Sequence, residues 1–172
     1  MIPSFGEISL SANDDQMKRL LITLLASFAL PTAVNAELTN DYILKANQSK
    51  KLISEGKFSE AITICDELIE ISPDNQYGYD CKGWALFWTS KNKSKIKREA
   101  IKNFTKAIEI NPENYGAYFF RGALQFSIKR NRNSELTACN DIKKAYLVNF
   151  PPALEYVKEN ESSLRKYCRG FY

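Results

Sequence analysis

From residue 40 onward, apolar and polar side chains alternate with the period of a helix. Between Ala100 and Ile110 the apolar positions Ala100, Ile101, Phe104, Ala107, Ile108 and Ile110 recur at three- and four-residue steps, which lines one side of a helix. Pro73 and Pro112 close two such runs, because proline lacks a backbone donor and disfavours helical geometry in the residue before it. Gly56 and the polar stretches after residues 89 and 128 mark further turns. Strand signals are absent. The pattern predicts an all-α fold.

The same unit comes round again. Pro73-Asp74-Asn75 with Tyr79 and Gly83 returns as Pro112-Glu113-Asn114 with Tyr118 and Gly122. Ala61-Ile62, Cys65 and Leu68 correspond to Ala100-Ile101, Phe104 and Ala107, and a later copy reads Ala138, Ile142 and Ala145. Gly83 to Gly122 is 39 residues and Ala107 to Ala145 is 38, a period expected of one supersecondary unit copied three times. Each unit reads as a helix pair, over about 40–75, 76–114 and 115–150.

These motifs resemble the tetratricopeptide repeat, whose pattern runs Trp-x2-Leu-Gly-x2-Tyr and then Ala-x3-Phe-x2-Ala-x4-Pro. Ala100-x3-Phe104-x2-Ala107-x4-Pro112 matches the second half at every position. The stretches Tyr79-x2-Lys82-Gly83 and Tyr118-x2-Arg121-Gly122 match the first half at the aromatic and the glycine. The first unit departs most, with Ser49 in place of the glycine and Cys65 in place of the phenylalanine. The resemblance implies a short right-handed superhelix of antiparallel helix pairs, a solenoid whose first helices line a concave groove for a peptide or partner helix. Units two and three also hold about five and four residues more than unit one between the small residue and the alanine, which predicts long turns inside those pairs. After the third unit, Pro151-Pro152 opens a segment with Leu154, Val157, Leu164 and Cys168 near one side. It is expected to form a C-terminal capping helix and tail over 151–172, covering the open end of the stack.

Residues 17–36 have the order of an export signal. Met17-Lys18-Arg19 is basic, Leu20 to Leu30 is mostly apolar, and Pro31 breaks the run. Ala33-Val34-Asn35-Ala36 then puts small residues one and three positions before a cut ahead of Glu37. A retained membrane anchor is the competing reading, but a spanning helix needs roughly 20 apolar residues. Residues 1–16 carry Glu7, Asp14 and Asp15 where a signal has basic residues, so they are expected to be a misassigned upstream extension with translation starting at Met17. The mature chain would be exported, to a periplasmic or other extracytoplasmic compartment.

Composition narrows the chemistry. The 172 residues include no histidine, which excludes a catalytic triad, a His-ligated zinc site and an imidazole base. No phosphate loop or clustered acid pair is present, so neither an enzyme, a cofactor nor a small-molecule substrate is expected. The formal net charge is +4. For an exported chain this favours an acidic protein, an anionic membrane or a wall polymer over nucleic acid.

Cys65, Cys81, Cys139 and Cys168 form no CxxC pair, so a redox or metal motif is not expected. In an oxidising compartment their even number suggests disulfides. Cys65 and Cys81 stand eight residues on either side of Pro73, at the same height on consecutive helices. That favours a Cys65–Cys81 bridge and leaves Cys139–Cys168 by elimination, with free buried cysteines as the alternative.

Two surfaces are candidates for a partner. Tyr77, Asp80, Trp84, Phe87 and Trp88 share one face of the first helix of unit two, with Phe119, Ala123 and Phe126 in the equivalent places of unit three and Ile43, Lys50 and Ile53 in unit one. Large aromatics of this kind either anchor an interface or belong to the core. Trp84 is expected to be the principal anchor and Trp88 to pack beneath its own turn. The second surface is basic: Lys91, Lys93, Lys95, Lys97 and Arg98 in one turn, and Lys129, Arg130 and Arg132 in the next. It reads as a solvated loop or as a means of steering the protein to an anionic surface. An interaction module holding a peptide or protein segment is therefore expected, with an envelope assembly factor that docks through its basic loops, or self-associates, as the alternative.

Overall fold

The computed structural model describes residues 40–172 apart from 92, 129–131, 169, 170 and 172, and the backbone alone for 132–134. The segments 1–16 and 17–36, Lys129, Arg130 and the side chain of Arg132 therefore lie outside the described residues. Residues 42–172 form one compact unit. Every described element is helical: α1 (40–54), α2 (Phe58–Ile71), α3 (Gln76–Ser90), α4 (Ser94–Ile110), α5 (Tyr115–Ser127), α6 (Arg132–Leu147), α7 (Pro151–Glu159) and α8 (Glu161–Tyr167). Short turns make each helix pack against the next, and the all-α chain is built from consecutive helix pairs in the manner of a solenoid.

The turn chemistry repeats with the sequence. After Pro73 and after Pro112 an asparagine caps the following helix: Asn75 Oδ1 accepts from the Tyr77 amide at 2.9 Å, and Asn114 Oδ1 accepts from the Ala117 amide at 2.9 Å. Gly56 closes α1 with φ of +72°, its amide bonded to the Ile53 carbonyl and the Lys57 amide to that of Leu52. Asn149 closes α6 in the same way, at φ of +58°.

The small residue of each unit sits where two helices of a pair press together. A Cβ on Gly83 would stand 2.8 Å from the Phe104 ring, and one on Gly122 would stand 2.9 Å from the Ala138 carbonyl oxygen. Ser49 holds the equivalent place in the first pair and is completely buried. Just before the glycines stand two cations that clamp three helices each. Lys82 pairs with Asp66 of α2 at 2.7 Å and approaches Glu99 of α4 to 3.8 Å. Arg121 donates to both carboxylate oxygens of Asp141 on α6, at 2.7 and 2.9 Å, and to Thr105 Oγ1 of α4 at 3.3 Å.

Two disulfides complete the frame. Cys65–Cys81 ties α2 to α3 with 5.8 Å between Cα atoms, and Cys139–Cys168 ties α6 to the residue after α8 with 5.5 Å. No cysteine is free. Two such bridges suit an oxidising environment outside the cytoplasm. Among the described residues no helix is long and apolar enough to cross a membrane.

Two expectations from the sequence are corrected. The extra residues of unit two do not lengthen its turn. Helix α3 ends at Ser90 and α4 already begins at Ser94, so Lys95, Lys97 and Arg98 are helical. The C-terminal cap is two helices rather than one. They meet at Asn160, whose amide group donates to the Tyr156 carbonyl at 2.9 Å and closes α7.

Candidate partner-binding face

The first helices of the pairs, α1, α3 and α5, present the aromatic face that the spacing predicts, but its parts have separate fates. On α5, Phe119 and Phe126 are buried, with 5% and 7% exposure. Phe119 packs against Phe150 and Tyr156, with ring centroids 5.8 and 5.6 Å apart. Phe126 joins Cys139, Val157, Leu164, Cys168 and Phe171 in a core cluster. The α7–α8 segment thus covers the third-unit part of the face, and these two phenylalanines are core residues. Helical projection places them on the correct side but cannot tell whether a later segment lies over it.

On α3 the aromatic residues converge on Phe120, which the sequence reading did not single out. Trp84 lies 4.4 Å and Phe87 5.1 Å from the Phe120 centroid, and Phe104 stacks on it at 5.9 Å. Phe87 is partly buried in this cluster, and Trp84 rests one side on it while remaining partly exposed. Phe120 follows Phe119 directly, and its adjacency to that candidate position was the available signal.

Trp88 does not pack beneath the following turn. It is 51% exposed and stacks on Phe58 at 6.4 Å, with planes 9° apart. Phe58 opens α2, a second helix, so this pair sits at the edge formed by the turns within the helix pairs. Lys91, Lys93, Lys95 and Arg98 lie on the same edge and are exposed, while Lys97 donates to Ser127 Oγ at 3.0 Å.

What stays open on the face is the strip along α1 and α3. Ile43 is 52% exposed. Ile53 and Trp84 are partly exposed, and Lys50 lies over the Tyr77 ring at 5.4 Å. The Tyr77 hydroxyl donates to the Ala46 carbonyl at 3.1 Å and lies 3.3 Å from Ser49 Oγ, which fixes the ring between the two helices. Burial raises its pKa; the Ser49 contact opposes the shift and Asp80 adds to it. Burial also pushes the Tyr42 hydroxyl up to about 12, with Tyr77 adding to the effect.

Asp80 faces the cap of α5. Its carboxylate accepts from the Asn114 side chain, whereas Oδ1 is buried without a hydrogen-bond partner among the described residues. Burial is the larger effect and pushes the carboxyl up to about 6. Asp80 is thus part of the wall between α3 and α5 rather than a charge offered to a partner.

A cleft of about 620 Å³ opens among α2, α3 and α4, bordered by Tyr79, Lys82, Asn103 and Thr105. Among its charges Lys82 pairs with Asp66 and Lys106 with Glu109 at 3.2 Å. Among the described residues no group of three metal-ligating side chains occurs. No protein-family model matches the chain, and no curated protein matches it.

Proposed function

We propose that this chain is a non-catalytic interaction module of tetratricopeptide type, exported to the periplasm or another extracytoplasmic compartment. It would hold a segment of a partner protein against the open strip of α1 and α3. The observation that carries this reading is the contrast between two parts of one face. Over α5 the face takes the chain's own α7 segment, with Phe150 and Tyr156 seated on Phe119. Over α1 and α3 no described segment takes that place, and Ile43 is exposed while Ile53 and Trp84 are partly exposed.

Supported aromatics of this kind suit a hot spot, because little side-chain freedom remains to be lost on binding. Export is supported by the order of segments over 17–36 and by the two disulfides. The repeat type is supported by the recurrence of the glycines, asparagine caps and clamping cations at one interval. Chemical crosslinking of envelope proteins tests the reading, comparing the parent with an Ile43→Asp, Lys50→Glu variant. Both residues are exposed, so the variant is expected to keep its melting temperature and lose the partner. Recovery of the same proteins by both would refute the assignment of the strip.

A further inference from the structure

We propose that the edge formed by the turns within the helix pairs is a docking surface for an anionic lipid bilayer, with Trp88 as its interfacial anchor. This inference is independent of the partner strip. It uses different residues at the turn edge, which adjoins the strip where Trp88 meets Trp84 at 6.2 Å between centroids.

The first observation is the Trp88 environment. Half of a large indole lies in water, held in place by Phe58 beneath it and by Phe87 edge-on at 5.5 Å. A rigid, exposed tryptophan with a polar N–H matches the boundary between headgroups and acyl chains. An extended soluble polyanion offers the indole no apolar phase to enter.

The second observation is the charge beside it. Lys91, Lys93, Lys95 and Arg98 are exposed and form no ion pair among the described residues. Three of these four are also placed against local helix stability. Lys93 is the N-cap of α4 and makes no side-chain cap, Lys95 and Arg98 fall in its opening turns, and no acidic residue stands in the first turn. Cations at the positive end of a helix dipole are unfavourable. Their clustering is therefore not explained by the helix itself, but it complements a negative surface.

An aromatic residue flanked by lysines at one edge joins shallow apolar insertion to attraction by anionic headgroups. Each lysine near such a surface is worth about fivefold in partitioning, so three contribute about a hundredfold.

The test uses the protein recovered after export and vesicles of phosphatidylcholine, with or without about one third phosphatidylglycerol. Cosedimentation is expected with the anionic vesicles and not the neutral ones, and is expected to be lost near 0.5 M salt, where the screening length is only about 4 Å. A Lys91→Gln, Lys93→Gln, Lys95→Gln variant is expected to partition about a hundredfold more weakly. It removes exposed cations around the start of α4, so its fold is not put at risk. Trp84 lies beside Trp88, with centroids 6.2 Å apart, so the emission is read from Trp84→Phe, in which Trp88 is the one remaining tryptophan, and bromine-labelled acyl chains are expected to quench it. Absent binding, equal binding to neutral vesicles, or an unquenched Trp88 in Trp84→Phe would overturn the proposal. So would equally tight binding of soluble polyphosphate by parent and Trp88→Phe that displaces the vesicles, which would assign the edge to a polymer.

Discussion

Neutralising Asp80 should stabilise the protein, and should do so only above mildly acidic pH. The carboxyl lies between α3 and the cap of α5, with Oδ1 buried and unpartnered among the described residues, and burial holds its pKa at about 6 against an ordinary 3.8. That gap corresponds to about 3 kcal/mol at neutral pH, at about 1.4 kcal/mol per pKa unit. The native state binds the proton more tightly than the unfolded chain. Stability from this group is therefore fully present below the unfolded pKa and lost as pH rises toward and through about 6. Asp80→Asn keeps the side-chain shape and can still accept from Asn114 without a charge. The variant is expected to gain about 1–3 kcal/mol near pH 7, and the gain should fall toward zero near pH 4. Burial also raises Asp141, with Arg121 opposing it, but that group is common to both proteins and cancels in the difference. Urea unfolding followed by circular dichroism across this pH range measures the effect. A variant no more stable near neutrality, or a gain that does not change with pH, would refute the assignment of a desolvated carboxylate.

Further expectations follow from the helix contacts and covalent ties. Gly122→Ala should destabilise by about 1–3 kcal/mol despite its better helix propensity, because the new Cβ meets the Ala138 carbonyl; an unchanged melting temperature would refute that close approach. Gly56→Ala has nothing within 4 Å, so any loss, about 1 kcal/mol, must come from its φ of +72°. Replacing Cys139 and Cys168 by alanine removes a tie across 29 residues and should cost about 3–4 kcal/mol, with the α8 amides the first to exchange with solvent. Uniform exchange across the helices would argue against α8 being held by this bridge. Arg121→Met should cost about 3–5 kcal/mol by stranding a carboxylate that is 5% exposed, and adding Asp141→Leu should restore most of it; no recovery in the double variant would show that packing, not charge, sets the loss.

The helical pairs were legible because one local rule recurs: a proline ends a helix, an asparagine two residues later caps the next, and a small residue marks the crossing. Asn75 with Gly83 and Asn114 with Gly122 are two readings of that rule. The length of the turn after Ser90 was less accessible. Extra residues need not extend a loop when they can continue a helix, and Ser94 to Arg98 do so. The break at Asn160 carries no glycine or proline and depends on a side chain bonding back to the Tyr156 carbonyl. Helical spacing gives the azimuth of each aromatic residue, yet azimuth does not reveal what crosses from another helix. Phe58 stacks on Trp88 from α2, and Phe150 and Tyr156 close over Phe119 from beyond the third pair. Those contacts separate an edge, an open strip and a core region within what reads as one stripe.

The open strip is tested most directly by placing a photoactivatable crosslinker at position 43 and, separately, at the exposed position 102 bordering the cleft. If α1 and α3 hold a partner segment, irradiation in the producing cell yields a discrete protein adduct from position 43 and none from position 102. Adducts of equal yield and identity from both positions, or none from position 43, would contradict the account.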